Sequence, residues 1–361
     1  MIGDDARPRT GITARDTLPR RPLIGMGAFI LLLHLAGWGV LLGVVVPQEL
    51  HLGSQVFGVG LGLTAYTLGM RHAFDADHIA AIDNTTRKQL AEGGRPVSVG
   101  FWFSLGHSTI VFLLVLLLAA GVSALAGPLA DENSPLQQLT SLFGTLVSGV
   151  FLVLIGVLNL VVLVGILRLL GQARRDRHLD EAALEQQLNR RGGIARLAGR
   201  ATAMVTRPWH MYPVGLLFGL GFDTATEVGL LVLAGGAAAV NLPWYAILTL
   251  PVLFAAGMCL LDTADGVLMF HAYGWAQARP VRKLYYNLAV TGLSVAVALL
   301  IGGIELIGVL VERLGITTGP LAAIASIDLG DLGYLVVGLF LFAWLAAVGV
   351  WKFAGLERRW G

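Results

Sequence analysis

Apolar runs of about 20 residues, the length a helix needs to cross the hydrocarbon core, recur along nearly the whole chain and constrain its fold more than any other feature. They fall at 23–46, 55–83, 97–125, 139–167, 211–240, 243–270, 284–311 and 334–353, about eight spans by this reading. Several are longer than the bilayer is thick, so tilt, interfacial ends or a broken helix must absorb the excess. A transmembrane β-barrel would show short alternating segments in place of these Leu/Val/Gly runs. With 56% hydrophobic and 13% charged residues, the chain cannot be wrapped into one water-soluble globule. The predicted fold class is all-α, a polytopic membrane protein whose main solvent is the lipid bilayer.

Lysine and arginine give the orientation. Arg7, Arg9, Arg15, Arg20 and Arg21 precede the first span, and Arg87, Lys88 and Arg95 follow the second. An Arg-rich stretch follows the fourth, Arg279, Arg282 and Lys283 follow the sixth, and Lys352, Arg358 and Arg359 close the chain. The alternate loops hold almost no cations beyond Arg313. Cytoplasmic loops collect positive charge, so both termini are expected in the cytoplasm, which requires an even number of spans across an inner (plasma) membrane. The net charge of +2 is thus a topology signal, and no nucleic-acid partner is expected. The first apolar run is too long for a cleavable signal peptide and lacks its small-residue cleavage pattern. The single cysteine, Cys259, excludes an internal disulfide framework or a Cys-rich metal site and reads as a packing residue.

Four segments follow from this pattern: a flexible basic cytoplasmic tail at 1–21, the first group of spans at 22–167, a cytoplasmic loop at 168–210, and the remaining spans with a short tail at 211–361. Within the loop, residues 180–189 have the spacing of a short amphipathic helix and 190–193 read as a turn. The loop divides the chain into two halves of about four spans, each with an Asp/Ala cluster: Asp75-Ala76-Asp77-His78 in the second span and Asp262-Thr263-Ala264-Asp265 in the sixth. A duplicated four-helix unit is therefore a candidate architecture. Asp223-Thr224-Ala225-Thr226-Glu227 in the fifth span complicates that pairing, because it resembles the sixth-span cluster too.

Charged side chains inside a span cost at least about 2–3 kcal/mol each unless paired, hydrated or bound to an ion, so each marks a candidate functional site. The densest group is Arg71-His72-Ala73-Phe74-Asp75-Ala76-Asp77-His78-Ile79, where two imidazoles and two carboxylates occupy seven consecutive positions. Such nitrogen and oxygen donors suit borderline divalent ions such as nickel, cobalt or zinc. In a regular helix His72, Asp75 and His78 would share a face, and Asp77 would point elsewhere, toward Arg71 or another helix. Four ligands to one ion would instead need a bent or unwound turn, the device by which transporters bring side chains to a midplane ion. The bland alternative puts the whole cluster in a cytoplasmic loop; the apolar continuation Ile79-Ala80-Ala81-Ile82 argues against it. Asp83 reads as an interfacial or helix-terminal group.

Three further groups lie in later spans. His107 sits alone among apolar residues in the third, where an interhelical hydrogen bond is a more frequent role than metal ligation, and Gly106 would let it approach the second span. Asp223 and Glu227 in the fifth span are one helical turn apart, and Asp262 and Asp265 in the sixth stand at i and i+3, each pair on one face. Either pair suits ion binding, proton relay, pairing with Arg71, or a purely structural polar contact. Asp75, Asp77, Asp223, Glu227, Asp262 and Asp265 make six carboxylates against few cations, so a dication or protons must neutralise them. His34 and Glu305 are weaker candidates.

The spacing His-x4-Asp-His at His72, Asp77 and His78 resembles the signature of the nickel/cobalt transporter (NiCoT) family. Leu105-Gly106-His107-Ser108-Thr109, Gly221-Phe222-Asp223-Thr224-Ala225-Thr226-Glu227 and Gly257-Met258-Cys259-Leu260-Leu261-Asp262-Thr263-Ala264-Asp265 match further motifs of that family in the same order. The resemblance implies an eight-helix secondary permease for high-affinity uptake of nickel, cobalt or both, with the second-span motif essential to metal binding.

The reading reached is a transporter in which His72, Asp75, Asp77 and His78 hold the metal and His107 assists. Asp223, Glu227, Asp262 and Asp265 line the route or relay protons, and Arg71 is a candidate charge partner. Nickel or cobalt is the substrate, no cofactor is expected, and protons are a candidate coupling ion. Efflux is the nearest alternative, disfavoured by the lack of a long His-rich loop. A passive channel would show non-saturating flux. An intramembrane metalloenzyme lacks a His-Glu-x-x-His motif or an evident nucleophile.

Overall fold

The computed structural model describes residues 19–52, 55–91, 93–120, 134–176, 205–221, 225–240, 242–277, 280–327, 329 and 332–353. Among these, the apolar runs form eleven α-helices. They are α1 (Arg20–Val40), α2 (Val59–His72), α3 (Ala76–Ala91), α4 (Val99–Ala119), α5 (Pro135–Asp176) and α6 (Met211–Phe218). The series continues with α7 (Ala225–Ala239), α8 (Trp244–Gln277), α9 (Pro280–Leu314), α10 (Pro320–Ala325) and α11 (Leu332–Phe353). A small antiparallel hairpin, His51–Leu52 against Gln55–Val56, joins α1 to α2. Proline at the first position of α5, α9 and α10 costs no hydrogen bond, because that N–H has no partner within the helix.

Five of the described helices are long and apolar enough to cross a bilayer: Arg20–Gln48, Val99–Ala119, Gln138–Gly165, Trp244–Tyr273 and Thr291–Leu314. The second and fifth predicted spans are each divided between two helices. Between α2 and α3 the chain turns at Ala73-Phe74-Asp75, where the Phe74 and Asp75 amides donate to the Arg71 and His72 carbonyls. Arg71 and His72 occupy the last turn of α2 and Asp77 the first turn of α3, charges that suit the two helix dipoles. The fifth span is divided between α6 and α7, whereas α8 runs continuously through Asp262 and Asp265.

The centre of the fold is α8, which packs against α1, α2, α3 and α4, while α9 lies along α5 and α4 along α6. Lipid tails are as apolar as leucine, so helix association in a membrane depends on close fit. Two glycines show how close. A Cβ at Gly100 of α4 would collide with the Asp262 carbonyl of α8, and one at Gly106 would collide with the Tyr212 carbonyl of α6. Gly106 thus seats α4 directly on α6, while His107, the next residue, reaches the second span at His72 and His78. Outward-facing Leu31, Leu35, Leu139, Leu314 and Phe342 supply the exposed apolar surface that a bilayer would cover.

One expectation is corrected. The second span does not end at Asp83 with a cationic loop after it: α3 continues to Ala91, with Asp83 fully buried and Arg87 and Lys88 at 8% and 6% exposure. Tyr273 of α8 donates a hydrogen bond to Asp83 Oδ1, so this carboxylate is buried among helices and does not end α3. The physical reason is coverage of α3 by α5, α8, α9 and α11, which local sequence does not display. His34 and Glu305 also have partners: His34 contacts the Ile30 carbonyl and the Tyr66 hydroxyl, and the Ser148 hydroxyl donates to Glu305. The tail through residue 18 and the 180–193 segment lie outside the described residues.

Candidate metal site

The interruption of the second span places His72 at the end of α2, Asp75 in the turn and His78 in the first turns of α3. The His72 and His78 rings approach with centroids 4.5 Å apart at 70°. His107 enters from α4, its ring centroid 4.6 Å from that of His72 and 4.9 Å from that of His78. One nitrogen from each of the three rings can be chosen so that all lie within 4.8 Å of one another. All three side chains are buried, at 2%, 1% and 3% exposure.

Carboxylates border this triangle. Glu227 of α7 puts Oε1 2.5 Å from His107 Nε2 and 3.8 Å from His72 Nε2. Asp262 of α8 puts Oδ2 3.4 Å from His78 Nδ1. Asp75 Oδ2 lies 2.6 Å from His72 Nδ1, so it orients that ring from behind and leaves Nε2 facing the cluster. Phe103 and Phe254 wall the site, with ring centroids 4.7 Å from His78 and 5.7 Å from His72.

Asp77 turns aside: its Oδ1 accepts a hydrogen bond from the His78 amide, capping the start of α3, and its side chain is half-buried. Arg71 is exposed and acts on Asp75 through its charge. Asp265 lies one turn beyond Asp262 on α8, with a buried Oδ2 that has no hydrogen-bond partner. Asp223 lies outside the described residues.

The arrangement has a chemical peculiarity. His72 Nε2 and His107 Nε2 are 2.9 Å apart, and Glu227 Oε1 faces both. His107 Nε2 carries at most one hydrogen, so it can donate to one of these neighbours and must face the lone pair of the other. Neither ring nitrogen of His78 has a hydrogen-bond partner, although the residue is 1% exposed. Burying a polar group unpaired costs roughly 1–3 kcal/mol. Convergent electron-donating atoms and a buried imidazole without a hydrogen bond are what a cation-binding cluster requires and what a purely structural hydrogen-bond network avoids.

Residues 58–350 match the family model NicO, described as high-affinity nickel-transport protein. A nickel transporter of Mycobacterium tuberculosis, NicT, is 58% identical over 93% of this chain and 90% of its own length. The Staphylococcus aureus nickel transporter NixA is 47% identical over 92% of this chain and 95% of its length. A cobalt transport protein of Rhodococcus rhodochrous, NhlF, is 42% identical over 91% of this chain and 92% of its length. No solved structure matches. The family match covers every helix that contributes to the histidine cluster, and its members are transporters, not enzymes. This chain belongs to the NicO family of high-affinity nickel-transport proteins, in agreement with the motifs in its second, third, fifth and sixth spans.

Proposed function

We propose that the protein is a secondary permease for uptake of divalent nickel, with cobalt as a second substrate, across the cytoplasmic membrane. His72, His78 and His107 bind the ion together with Glu227 and Asp262; Asp75 orients His72, and Asp77 steadies the turn that carries His78. The observation that carries this reading is His78, buried at the meeting point of α3, α4 and α8 with neither ring nitrogen in a hydrogen bond and with the Asp262 carboxylate 3.4 Å from Nδ1.

The spacing of the donors supports it. Two ligands about 2.1 Å from an ion and at right angles to one another stand about 3.0 Å apart. The His72–His107 nitrogen separation of 2.9 Å matches that figure. Imidazole with carboxylate suits nickel and cobalt, and the names of relatives point the same way, to nickel for NicT and NixA and to cobalt for NhlF.

Charge bookkeeping supports transport. Glu227, Asp262 and Asp75 surround the cluster, so an arriving dication replaces its hydration shell with groups whose negative charge it offsets. The interrupted second and fifth spans supply four helix ends near the site, about which the halves of the membrane domain rock to expose it alternately to either side. Both termini lie in the cytoplasm in this reading, which the cation-rich segments outside the spans support, and protons leaving or entering the carboxylates couple to the cycle.

The test is accumulation of radioactive nickel in a host without its own nickel uptake. Wild-type protein raises cell-associated nickel above the empty-vector level, and His78→Ala returns it to that level while membrane-fraction abundance stays unchanged. Nickel below the vector level would indicate export, and unimpaired accumulation by His78→Ala would remove this residue from the site.

A further inference from the structure

The histidine cluster leaves a second group of buried polar side chains unexplained. From Asp83 to Gln89, α3 carries seven consecutive polar residues, every one of them buried. Asp83 Oδ1 accepts from the Tyr273 hydroxyl, and Asp83 Oδ2, fully enclosed, has no hydrogen-bond partner. Asp265 of α8 stands on the stretch packed beside Asp83, since a Cβ at the adjacent Gly266 would lie 3.7 Å from Ile82 Cγ2, and it has a buried Oδ2 of its own without a hydrogen bond. Ser294 of α9 is fully buried beside Asp83 and Tyr273, and its hydroxyl makes no hydrogen bond of ordinary geometry. Two carboxylates, a phenol and a serine hydroxyl, from α3, α8 and α9, therefore converge with oxygen atoms to spare.

Position along the helices gives this group a role. His78 to Asp83 is a rise of about 7.5 Å along α3, and Asp262 to Asp265 is about 4.5 Å along α8. Both steps lead from a residue of the histidine cluster to a residue of the second group, toward the end of α3 that carries Arg87 and Lys88. An all-oxygen site one step from a nitrogen-rich one suits a dication in transit, because oxygen ligands hold nickel or cobalt less tightly than imidazoles do.

Arg87 completes the arrangement. It stands one turn from Asp83, its charge acts on that carboxylate, and its Nη2 is held by Asn84 Oδ1, 3.0 Å away. Asn159 of α5 donates to the same Asn84 oxygen at 2.8 Å, fixing the guanidinium from a second helix. Arg87 Nε is buried without a partner.

We propose that Asp83 and Asp265, with Tyr273 and Ser294, form a second divalent-cation station, and that Arg87 is a tethered cation that keeps this station's affinity low. The proposal rests on the transport reading above. When the ion sits at the histidine cluster, Arg87 offsets Asp83; when the ion steps to Asp83 and Asp265, it meets a neighbouring positive charge and is released more readily than from the cluster.

Equilibrium dialysis of the purified full-length protein against radioactive nickel chloride tests this. Arg87→Gln binds a second nickel ion at least about tenfold more tightly than wild type does, because a unit positive charge near a dication has been removed. Adding Asp83→Asn to Arg87→Gln abolishes the second ion and leaves the first in place. A misfolded variant cannot gain an ion, so Arg87→Gln is decisive. Stoichiometry and affinities identical to wild type would overturn the station, and so would a second ion that survives Asp83→Asn. Absence of any bound nickel in wild type and variant alike would overturn the transport reading as well.

Discussion

The Nε2 atoms of His72 and His107 lie 2.9 Å apart, although 35 residues and a change of helix separate them in the chain. Each nitrogen also faces Glu227 Oε1, so the pair brings three electron-donating atoms together in a space from which water is excluded. At 2.9 Å the two nitrogens share a hydrogen bond when one of them carries a proton, and a divalent cation bound between them would take that proton's place.

Removing His107 should therefore weaken metal binding more than it disturbs the fold. His107→Ala is expected to raise the KM for nickel uptake about 10- to 100-fold, the scale on which loss of metal-site groups is felt, with membrane abundance near wild type. Saturation kinetics of initial uptake rates check this. An unchanged KM would make His107 a packing residue.

Asp75 has a subtler effect, because it acts through His72. Asp75→Asn retains a hydrogen-bond acceptor 2.6 Å from His72 Nδ1 but loses the charge that makes the ring a stronger ligand. Nickel affinity should fall by about tenfold, less than for His72→Ala, and Asp75→Ala should fall between the two. Ranking the three variants by nickel binding to purified protein separates orientation from charge.

Acidification should weaken nickel binding. Imidazole binds metal through a neutral nitrogen and carboxylate through its ionised form, so each proton added to the site competes with the ion. Free histidine protonates near pH 6.5, so apparent affinity measured at about pH 5.5 should lie well below that at about pH 7.5. Nickel binding in weak buffer should release protons. Proton release at or below zero would mean that the histidines and carboxylates are not the ligands.

The α4–α6 contact should tolerate no side chain at Gly106. Its missing Cβ faces the Tyr212 carbonyl, a backbone atom that cannot rotate away, so Gly106→Val must separate two helices. The expected cost is roughly 1–3 kcal/mol, read as a lower thermal unfolding temperature in detergent. Because α4 carries His107, nickel-induced thermal stabilisation should shrink in the same variant.

Much of this was legible in the sequence, for reasons that differ from residue to residue. The long Leu/Val runs displayed helices because lipid leaves the backbone no other way to satisfy its hydrogen bonds. Crowding of His72, Asp75, Asp77 and His78 within seven positions left a regular and an interrupted second span both open, and the chain turns at Ala73-Phe74-Asp75. The division of the fifth span was missed, although Gly219 and Gly221 beside it were a usable signal. Asp83 and Arg87 were misjudged because a run of polar residues reads locally as a solvated loop; the helices that bury it come from distant parts of the chain. That His107 meets His72 and Glu227 is likewise a property of packing, since its own neighbours in sequence are apolar or small.

The central claim is that a travelling nickel ion is held by the imidazoles of His72, His78 and His107. X-ray absorption spectroscopy at the nickel K-edge, on purified protein loaded with one equivalent, examines it most directly. The account predicts a first coordination shell of mixed nitrogen and oxygen ligands with clear imidazole scattering, which weakens in each single His→Ala variant and vanishes in the triple variant. A spectrum of oxygen ligands alone, or one unaltered in the triple variant, would contradict it.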